Sequence, residues 1–113
     1  MRYLCGMNTI PNVLESIREV AQNTLPPNGH LILYGSRARG DAQKDSDWDL
    51  LVILDKNAID SDDYDKVSYP YTELGWSLGE MIIPVLYTKK EWEASSFTPF
   101  YKNVESEGIE LCH

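Results

Sequence analysis

Residues 31–54 read LILYGSRARGDAQKDSDWDLLVIL, with an apolar run at each end and a polar loop between them. The first run, Leu31 to Tyr34, is short and continuous, which is typical of a strand buried on both faces. The second run, Asp49 to Leu54, has the same character and forms the second predicted strand. The polar loop therefore begins at the end of one strand and ends at the start of the next.

The rest of the chain alternates helical patterns with strands. A helix is predicted over Asn12 to Thr24, where apolar residues recur at helical spacing. Asp60 to Gly79 is predicted as a helix that Pro70 kinks or divides, because proline lacks an amide hydrogen and disfavours helical geometry before it. The remaining predicted elements are a strand, two helices and a terminal strand, at Met81 to Tyr87, Lys89 to Ser95, Thr98 to Gly108, and Ile109 to Leu111. This order predicts an α/β (α+β) domain with a small mixed β-sheet flanked by helices.

Length and charge restrict the classes of function. The 113 residues fit one domain over residues 1–113. A net charge of −8, with only 10 Lys and Arg, does not provide the basic surface that nucleic-acid binding needs. A basic partner protein, or a small polyanion held through a metal, fits this charge better. No apolar run has the length of a membrane span and no signal peptide is recognised, so a cytoplasmic protein is predicted.

Asp47 and Asp49 form the first half of a predicted site. Side chains two residues apart in a strand point the same way, so the two carboxylates share a face, with their Cα atoms roughly 6.5–7 Å apart. Nearby carboxylates repel each other, and their pKa values rise unless a cation lies between them. Oxygen ligands of this kind suit Mg²⁺, which also keeps waters and phosphate oxygens in its shell. We therefore predict that Asp47 and Asp49 bind Mg²⁺, and that Trp48 points into the core.

Gly35 and Ser36 form the second half, where a buried strand must turn sharply. Gly35 permits close approach of the backbone to a ligand. Ser36 and Arg37 present N–H groups at a strand-to-helix corner, which is a natural anion site, and Arg37 and Arg39 add positive charge. Each signal alone is weak, because a Gly-Ser pair is usually a turn and an Asp-x-Asp usually a solvated strand start. Together they offer a phosphate site beside a metal site, as a nucleoside triphosphate with Mg²⁺ requires.

Gly35-Ser36, followed after ten residues by Asp47-Trp48-Asp49, resembles the signature of the DNA polymerase β-like nucleotidyltransferase superfamily. The fuller string is similar to that of the minimal nucleotidyltransferases. The resemblance implies that the corner, with Arg37 and Arg39, binds an NTP such as ATP, that Asp47 and Asp49 are catalytic Mg²⁺ ligands, and that a hydroxyl attacks the α-phosphorus. Many small members are antitoxins encoded beside HEPN-domain proteins, and some transfer AMP to a tyrosine of that partner.

One departure from the family concerns a third carboxylate on a later strand. Counting back from Thr88 places it near Ile83, which is apolar. Glu80 is the nearest acidic residue and a candidate third metal ligand, although a regular strand would turn it to the face opposite Ile83. Two alternatives therefore stay open: a catalytically degenerate nucleotidyltransferase fold that acts as a protein-binding module, or a scaffold with a vestigial motif. An exposed subset of the aromatic residues in the second half, among them Tyr69, Tyr71 and Trp76, would then form the partner surface.

Other kinds of site find less support. His30 precedes the first strand with no acidic partner nearby in sequence, so a structural histidine is predicted rather than a general base. Ser36 lacks the Gly-x-Ser-x-Gly elbow of a hydrolase nucleophile. Neither a P-loop nor a dinucleotide-binding glycine string is present.

Overall fold

The computed structural model describes residues 2–3 and 12–112. The helices closely follow the predicted segments, with a short additional helix directly after the Gly35 corner. They are α1 Asn12–Thr24, α2 Ser36–Arg39, α3 Ser61–Asp63, α4 Tyr69–Leu78, α5 Lys89–Ala94 and α6 Pro99–Glu107. The strands are β1 Arg2–Tyr3, β2 His30–Tyr34, β3 Trp48–Leu54, β4 Ile82–Thr88 and β5 Ile109–Cys112. The α+β class is confirmed; β1 was not predicted, because two residues carry no pattern.

The described strands form a mixed sheet in the order β1-β5-β2-β3-β4. β2 runs antiparallel to β3, with Tyr34 opposite Asp49. β4 runs parallel to β3, with Ile83 beside Asp49, and this register is regular from one end of β4 to the other. The C-terminal end of β2 and the N-terminal ends of β3 and β4 therefore lie side by side, at the same end of the strands. Pro84 lies in β4, an edge strand, where a proline is tolerated.

The core lies on both faces of the sheet. Alternate residues of β3 pack against α1 and α4 on one face, where Ile17 and Tyr71 are fully buried. The other residues of β3 pack against α5 and α6, where Trp92 and Val104 are buried. This burial confirms that β2 and β3 are central strands. Trp48 is buried on the α1 and α4 face, as predicted.

The helical segment around Pro70 adapts to the proline. Residues Tyr64–Ser68 form a π-helical turn between α3 and α4, in which the N–H of Tyr69 donates to the carbonyl oxygen of Tyr64. The predicted helix over Asp60 to Gly79 is therefore divided, as expected of Pro70, although Tyr69 keeps helical backbone angles. One wide turn accommodates the missing donor of Pro70, which is a known cause of helix irregularity. No helix in the described part of the chain is long and apolar enough to cross a membrane.

Candidate active site

The site is centred on a close approach between Gly35 and Asp49. A Cβ atom built on Gly35 would lie 2.5 Å from Oδ2 of Asp49, and Gly35 has φ 78° and ψ −159°, a backbone conformation almost confined to glycine. The pairing of Tyr34 with Asp49 across β2 and β3 produces this contact. Glycine is therefore needed here for two reasons, its backbone angles and the space that the carboxylate occupies.

The electrostatics at Asp49 show the repulsion expected of neighbouring carboxylates. Partial burial and the negative charge of Asp47 raise the pKa of Asp49, while the positive charge of Arg39 opposes them. Two carboxylates that repel each other in this way match the donor set of a hard divalent cation, which fills its remaining positions with water and phosphate oxygens. The residues present thus fit a site for one such cation.

The corner after β2 is built as a single turn of helix. The carbonyl oxygen of Gly35 accepts hydrogen bonds from the N–H groups of Ala38 and Arg39, each at 3.0 Å. Gly40 then ends the turn in the left-handed conformation, with its N–H on the carbonyl oxygen of Ser36 at 3.0 Å. The N–H groups of Ser36 and Arg37 belong to the first turn, where a helix has no internal acceptors. Backbone donors therefore stand beside the carboxylates.

The side chain of Arg37 lies elsewhere. Its guanidinium stacks on the ring of Trp48, 4.5 Å from the ring centroid, and donates to the carbonyl oxygens of Ser46 at 3.0 Å and Lys44 at 3.2 Å. The Arg37 side chain is thus directed away from the corner for which a phosphate site is predicted. It extends to the Trp48 face of the sheet, where it braces the 40–47 loop. Only its backbone N–H lies in the corner.

Glu80 is also on the Trp48 face. Its Oε1 accepts a hydrogen bond from Nε1 of Trp48 at 2.8 Å and lies 3.8 Å from the guanidinium of Arg37. Since Trp48 and Asp49 alternate along β3, Glu80 is on the face opposite Asp49. The geometry therefore does not support Glu80 as a third ligand. Among the described residues, no group of three His, Cys, Asp or Glu side chains is placed to hold a metal ion.

The position beside Asp49 on β4 is occupied by Ile83. This register places the isoleucine where the family resemblance calls for a third carboxylate. The described part of the site thus contains the carboxylates of Asp47 and Asp49, with an apolar neighbour on the edge strand. A bound cation would therefore take its ligands from these two carboxylates, from phosphate oxygens of the nucleotide and from water.

Arg39 connects the corner to the last turn of α6. Its Nε donates to Asp41 at 3.2 Å, and a terminal nitrogen donates to Oε1 of Glu107 at 3.1 Å. The positive charge of Arg39 also favours the ionised form of Asp49 and so opposes the rise of its pKa. Sequence reasoning missed Glu107, because 68 residues separate it from Arg39 and no motif links them.

Tyr34 is the other site residue that sequence reasoning missed. Burial raises its pKa to about 12, and the charges of Asp49 and Tyr87 act in the same direction. At neutral pH the phenol is therefore a neutral hydroxyl at the edge of the carboxylate site. Its position in the sequence could have indicated it. Tyr34 is the last residue of β2 before Gly35 and is paired with Asp49 on β3.

His30 has a structural partner far along the chain. Its Nδ1 lies 2.5 Å from Oε2 of Glu110, a buried residue of β5. His30 is at the end of β2 opposite to Tyr34, so this pair is separate from the Asp47 and Asp49 site. The geometry agrees with a histidine held in place by the fold.

Comparisons with known proteins agree with this geometry. A family model described as nucleotidyltransferase domain matches residues 14–109. A crystal structure of a toxin–antitoxin pair with AMP-PNP aligns with a TM-score of 0.61 at 18% identity, over 86% of this chain and 70% of that one. A mutant of the toxin–antitoxin complex MntA–HpeT aligns with a TM-score of 0.59 at 18% identity, over 94% and 72%. At this identity the likeness concerns the fold. No curated protein sequence matches the chain.

Proposed function

The chain belongs to the nucleotidyltransferase domain family, and from this premise we propose that it binds a nucleoside triphosphate with Mg²⁺ and transfers a nucleotidyl group to a hydroxyl. The observation that carries the proposal is the contact between Gly35 and Asp49. It joins a corner of backbone N–H donors to a pair of carboxylates, so phosphates at the corner would lie against a cation held by Asp47 and Asp49. Transfer at phosphorus depends mainly on such positioning and charge neutralisation.

Each residue of the site has a distinct task in this proposal. The N–H groups of Ser36 and Arg37 and the hydroxyl of Ser36 bind phosphate oxygens. Asp47 and Asp49 hold Mg²⁺, which when bound neutralises charge on the triphosphate. Arg39 adds positive charge on the same side and is kept there by Glu107. Gly35 leaves the space in which the carboxylate of Asp49 and a phosphate approach the same stretch of backbone.

The proposed reaction is a substitution at the α-phosphorus. The oxygen of the acceptor hydroxyl forms a new bond to the α-phosphorus, and the bond from that phosphorus to the oxygen bridging the α- and β-phosphates breaks. Pyrophosphate leaves, and the proton of the hydroxyl passes to water. In this proposal Asp47 and Asp49 face the reacting phosphorus, and the apolar Ile83 occupies the position at which the family resemblance expects a third carboxylate.

The nucleotide and the acceptor follow from the similar structures and from the charge of the chain. One similar structure is a toxin–antitoxin pair with AMP-PNP, an analogue of ATP, which favours ATP as the substrate and AMP as the transferred group. The toxin–antitoxin complexes favour a protein acceptor. From the family resemblance we take this acceptor to be a hydroxyl of a HEPN-type toxin, and we place the reaction in the cytoplasm. The net charge of −8 is in keeping with a protein acceptor rather than a nucleic acid.

The second candidate function is a catalytically degenerate domain that binds a partner protein. The specific observation in its favour is Ile83 beside Asp49, since the family resemblance assigns a carboxylate to that position. Under this alternative, the domain keeps the fold and the two-carboxylate site but does not transfer a nucleotide.

Calorimetric titration with ATP and Mg²⁺ tests the proposal. The wild-type protein is expected to bind ATP only in the presence of Mg²⁺, and Asp49→Asn is expected to abolish this binding. Asp45→Asn is the matched control, because it removes an exposed carboxylate from the same loop. Folded wild-type protein that does not bind ATP would exclude the proposed nucleotide site. Transfer of label from α-phosphate-labelled ATP to protein then separates the active enzyme from the degenerate domain.

A further inference from the structure

The side chain of Arg37 connects the corner after β2 to the loop that precedes Asp47. The backbone N–H of Arg37 belongs to the first turn of α2, where the phosphates are proposed to bind. Its guanidinium lies on the other face of the sheet and donates to the carbonyl oxygens of Lys44 at 3.2 Å and Ser46 at 3.0 Å. Ser46 directly precedes Asp47. One residue thus forms part of the corner through its backbone and holds the approach to a carboxylate through its side chain.

The segment that Arg37 holds is a closed turn. The N–H of Ser46 donates to the carbonyl oxygen of Gln43 at 3.1 Å, and the N–H of Gln43 donates to Oγ of Ser46 at 2.8 Å. Because the turn is closed on itself, the two hydrogen bonds from the guanidinium fix it as one piece. Asp47 is exposed and directly follows this turn. The position of its carboxylate therefore depends on where Arg37 holds the turn.

The second contact of the guanidinium is with the residue between the two carboxylates. It stacks on the ring of Trp48, 4.5 Å from the ring centroid. Oε1 of Glu80 accepts from Nε1 of Trp48 at 2.8 Å and lies 3.8 Å from the guanidinium. We name this set of three side chains the Arg37 brace. Because neighbouring side chains of an extended chain point to opposite faces, a fixed Trp48 ring sets the directions of Asp47 and Asp49.

Placement of an arginine at this position is not favourable in itself. The Arg37 side chain is only 19% exposed, and its Nε is buried without a hydrogen-bond partner among the described residues. A buried donor without a partner lowers the stability of the fold. Apolar residues of similar volume often replace buried charged groups without loss of stability, and a methionine could pack on Trp48 instead. What the arginine adds is its charge and the two hydrogen bonds to the loop.

We propose that Arg37 is a positioning residue that couples the phosphate corner to the cation site, acting through the turn before Asp47 and through the Trp48 ring. The inference rests on the proposed function, since it concerns the same site. Phosphate at the corner and a cation on the carboxylates each favour the arrangement that the Arg37 brace maintains, so each increases the affinity for the other. Glu80 then serves the site by holding Arg37 and Trp48 rather than as a metal ligand.

Calorimetric binding of Mn²⁺ without nucleotide, and of ATP with excess Mg²⁺, tests this inference. Arg37→Met removes the charge and both donors but keeps an apolar contact with Trp48. Arg37→Lys keeps the charge but cannot stack on the ring and donate to two carbonyl oxygens together. Arg18→Met is the control, because Arg18 on α1 is also part-buried and its Nε is buried with no hydrogen-bond partner in the described structure. Circular dichroism verifies that each variant is folded.

We expect both Arg37 variants to bind Mn²⁺ and ATP about tenfold more weakly, the scale for groups that orient metal ligands without touching the metal. Arg18→Met should match wild type. The direction is decisive for Arg37→Met, since loss of a nearby positive charge would by itself tighten cation binding. Unchanged or tighter Mn²⁺ binding would overturn the inference, and weaker ATP binding alone would mean that the guanidinium contacts phosphate. If Arg37→Met does not fold, Arg37→Lys decides by the same criteria.

The behaviour of the wild type separates failure of this inference from failure of the proposed function. Wild-type protein that binds neither ATP nor Mn²⁺ would contradict the proposed function, and the inference with it. If wild type binds a cation only together with ATP, the loss of ATP affinity in Arg37→Met is measured with and without Asp47→Asn. The loss should be smaller in the Asp47→Asn background, because Arg37 acts through that carboxylate. A loss of equal size in the two backgrounds would overturn the inference alone.

Discussion

At the scale of single residues, the geometry of the site depends on one glycine. Alanine at position 35 would adopt a backbone conformation that costs about 1–3 kcal/mol for other residues, and its Cβ would displace the carboxylate of Asp49. We expect Gly35→Ala to lower the melting temperature and to abolish ATP binding. Gly40→Ala is the matched control, because Gly40 also has a positive φ but nothing lies within 4 Å of its Cβ position. It should cost about 1–2 kcal/mol and leave ATP binding intact, and loss of binding in both would show that the contact with Asp49 is not decisive.

The two carboxylates make a second prediction at this scale. Because the pKa of Asp49 is raised in the folded protein, its ionisation opposes folding, and stability falls as pH rises through its folded pKa. Removing the charge of Asp47 relieves part of this effect. We expect Asp47→Asn to be about 0.2–1 kcal/mol more stable than wild type at neutral pH without divalent cations, the scale of exposed charge pairs.

Urea unfolding in EDTA at pH ~7 and pH ~3 measures this difference. It should vanish at the lower pH, at which the carboxyl groups are mostly protonated. Asp45→Asn, which removes a charge that does not act on Asp49, should show a smaller change at neutral pH. Stabilisation of equal size in the two variants would indicate a general effect of net charge.

At the scale of elements, the register of β4 against β3 determines how many carboxylates face the nucleotide. Ile83 lies beside Asp49, so Ile83→Asp would place a third carboxylate there without changing the fold. We expect this variant to bind Mn²⁺ or Mg²⁺ about tenfold more tightly, equal to about 1.4 kcal/mol. Without a cation it should be less stable than wild type, since three carboxylates then repel one another.

Ile83→Asn separates charge from polarity in this experiment. It removes the same apolar surface and adds an oxygen, but no charge. Equal cation affinity in the Asp and Asn variants, measured by calorimetry, would mean that this position does not face the metal. A gain in nucleotide transfer by Ile83→Asp alone would identify Ile83 as the residue that limits catalysis in the natural chain.

The elements themselves could be predicted from the sequence, because their signals are local. The apolar runs of β2 and β3, the Thr98 and Pro99 start of α6 and the Gly35 corner each depend on a few adjacent residues. Pro70 shows the limit of local reasoning, since the helix before it contains a π-helical turn that contacts β4 and buries Val67. A missing donor predicts an irregularity but does not say which form it takes.

The directions of charged side chains could not be predicted in the same way. Arg37 and Arg39 are two residues apart in one short turn, yet one stacks on Trp48 and the other lies near Asp49. Which face each occupies depends on partners distant in sequence, Glu80 for Arg37 and Glu107 for Arg39. The pairing of His30 with Glu110 has the same origin, as 80 residues separate them. Sequence spacing identifies such residues as site candidates, but tertiary contacts assign their roles.

At the scale of the whole molecule, the excess of acidic residues affects stability and partner choice together. The chain has 18 acidic and 10 basic residues. The excess negative charges repel one another in the folded state, which lowers its stability. The core on the two faces of the sheet offsets this repulsion, and a chain of this size retains a total stability of only about 5–15 kcal/mol. Charge screening should therefore have a measurable effect.

We expect the melting temperature to rise when NaCl is increased from about 0.02 M to about 0.3 M, because the Debye length falls below the spacing of most surface charges. A gain of about 1 kcal/mol would correspond to roughly 4 °C. MgCl₂ and NaCl at equal ionic strength then separate screening from binding, since only a specific cation site adds stability beyond screening. This excess should appear with MgCl₂ in wild type and disappear in Asp49→Asn, while the NaCl effect remains in both. If the additional stabilisation by MgCl₂ persists in Asp49→Asn, the bound cation lies elsewhere on the acidic surface. If MgCl₂ stabilises wild type no more than NaCl does, the cation binds only together with the nucleotide.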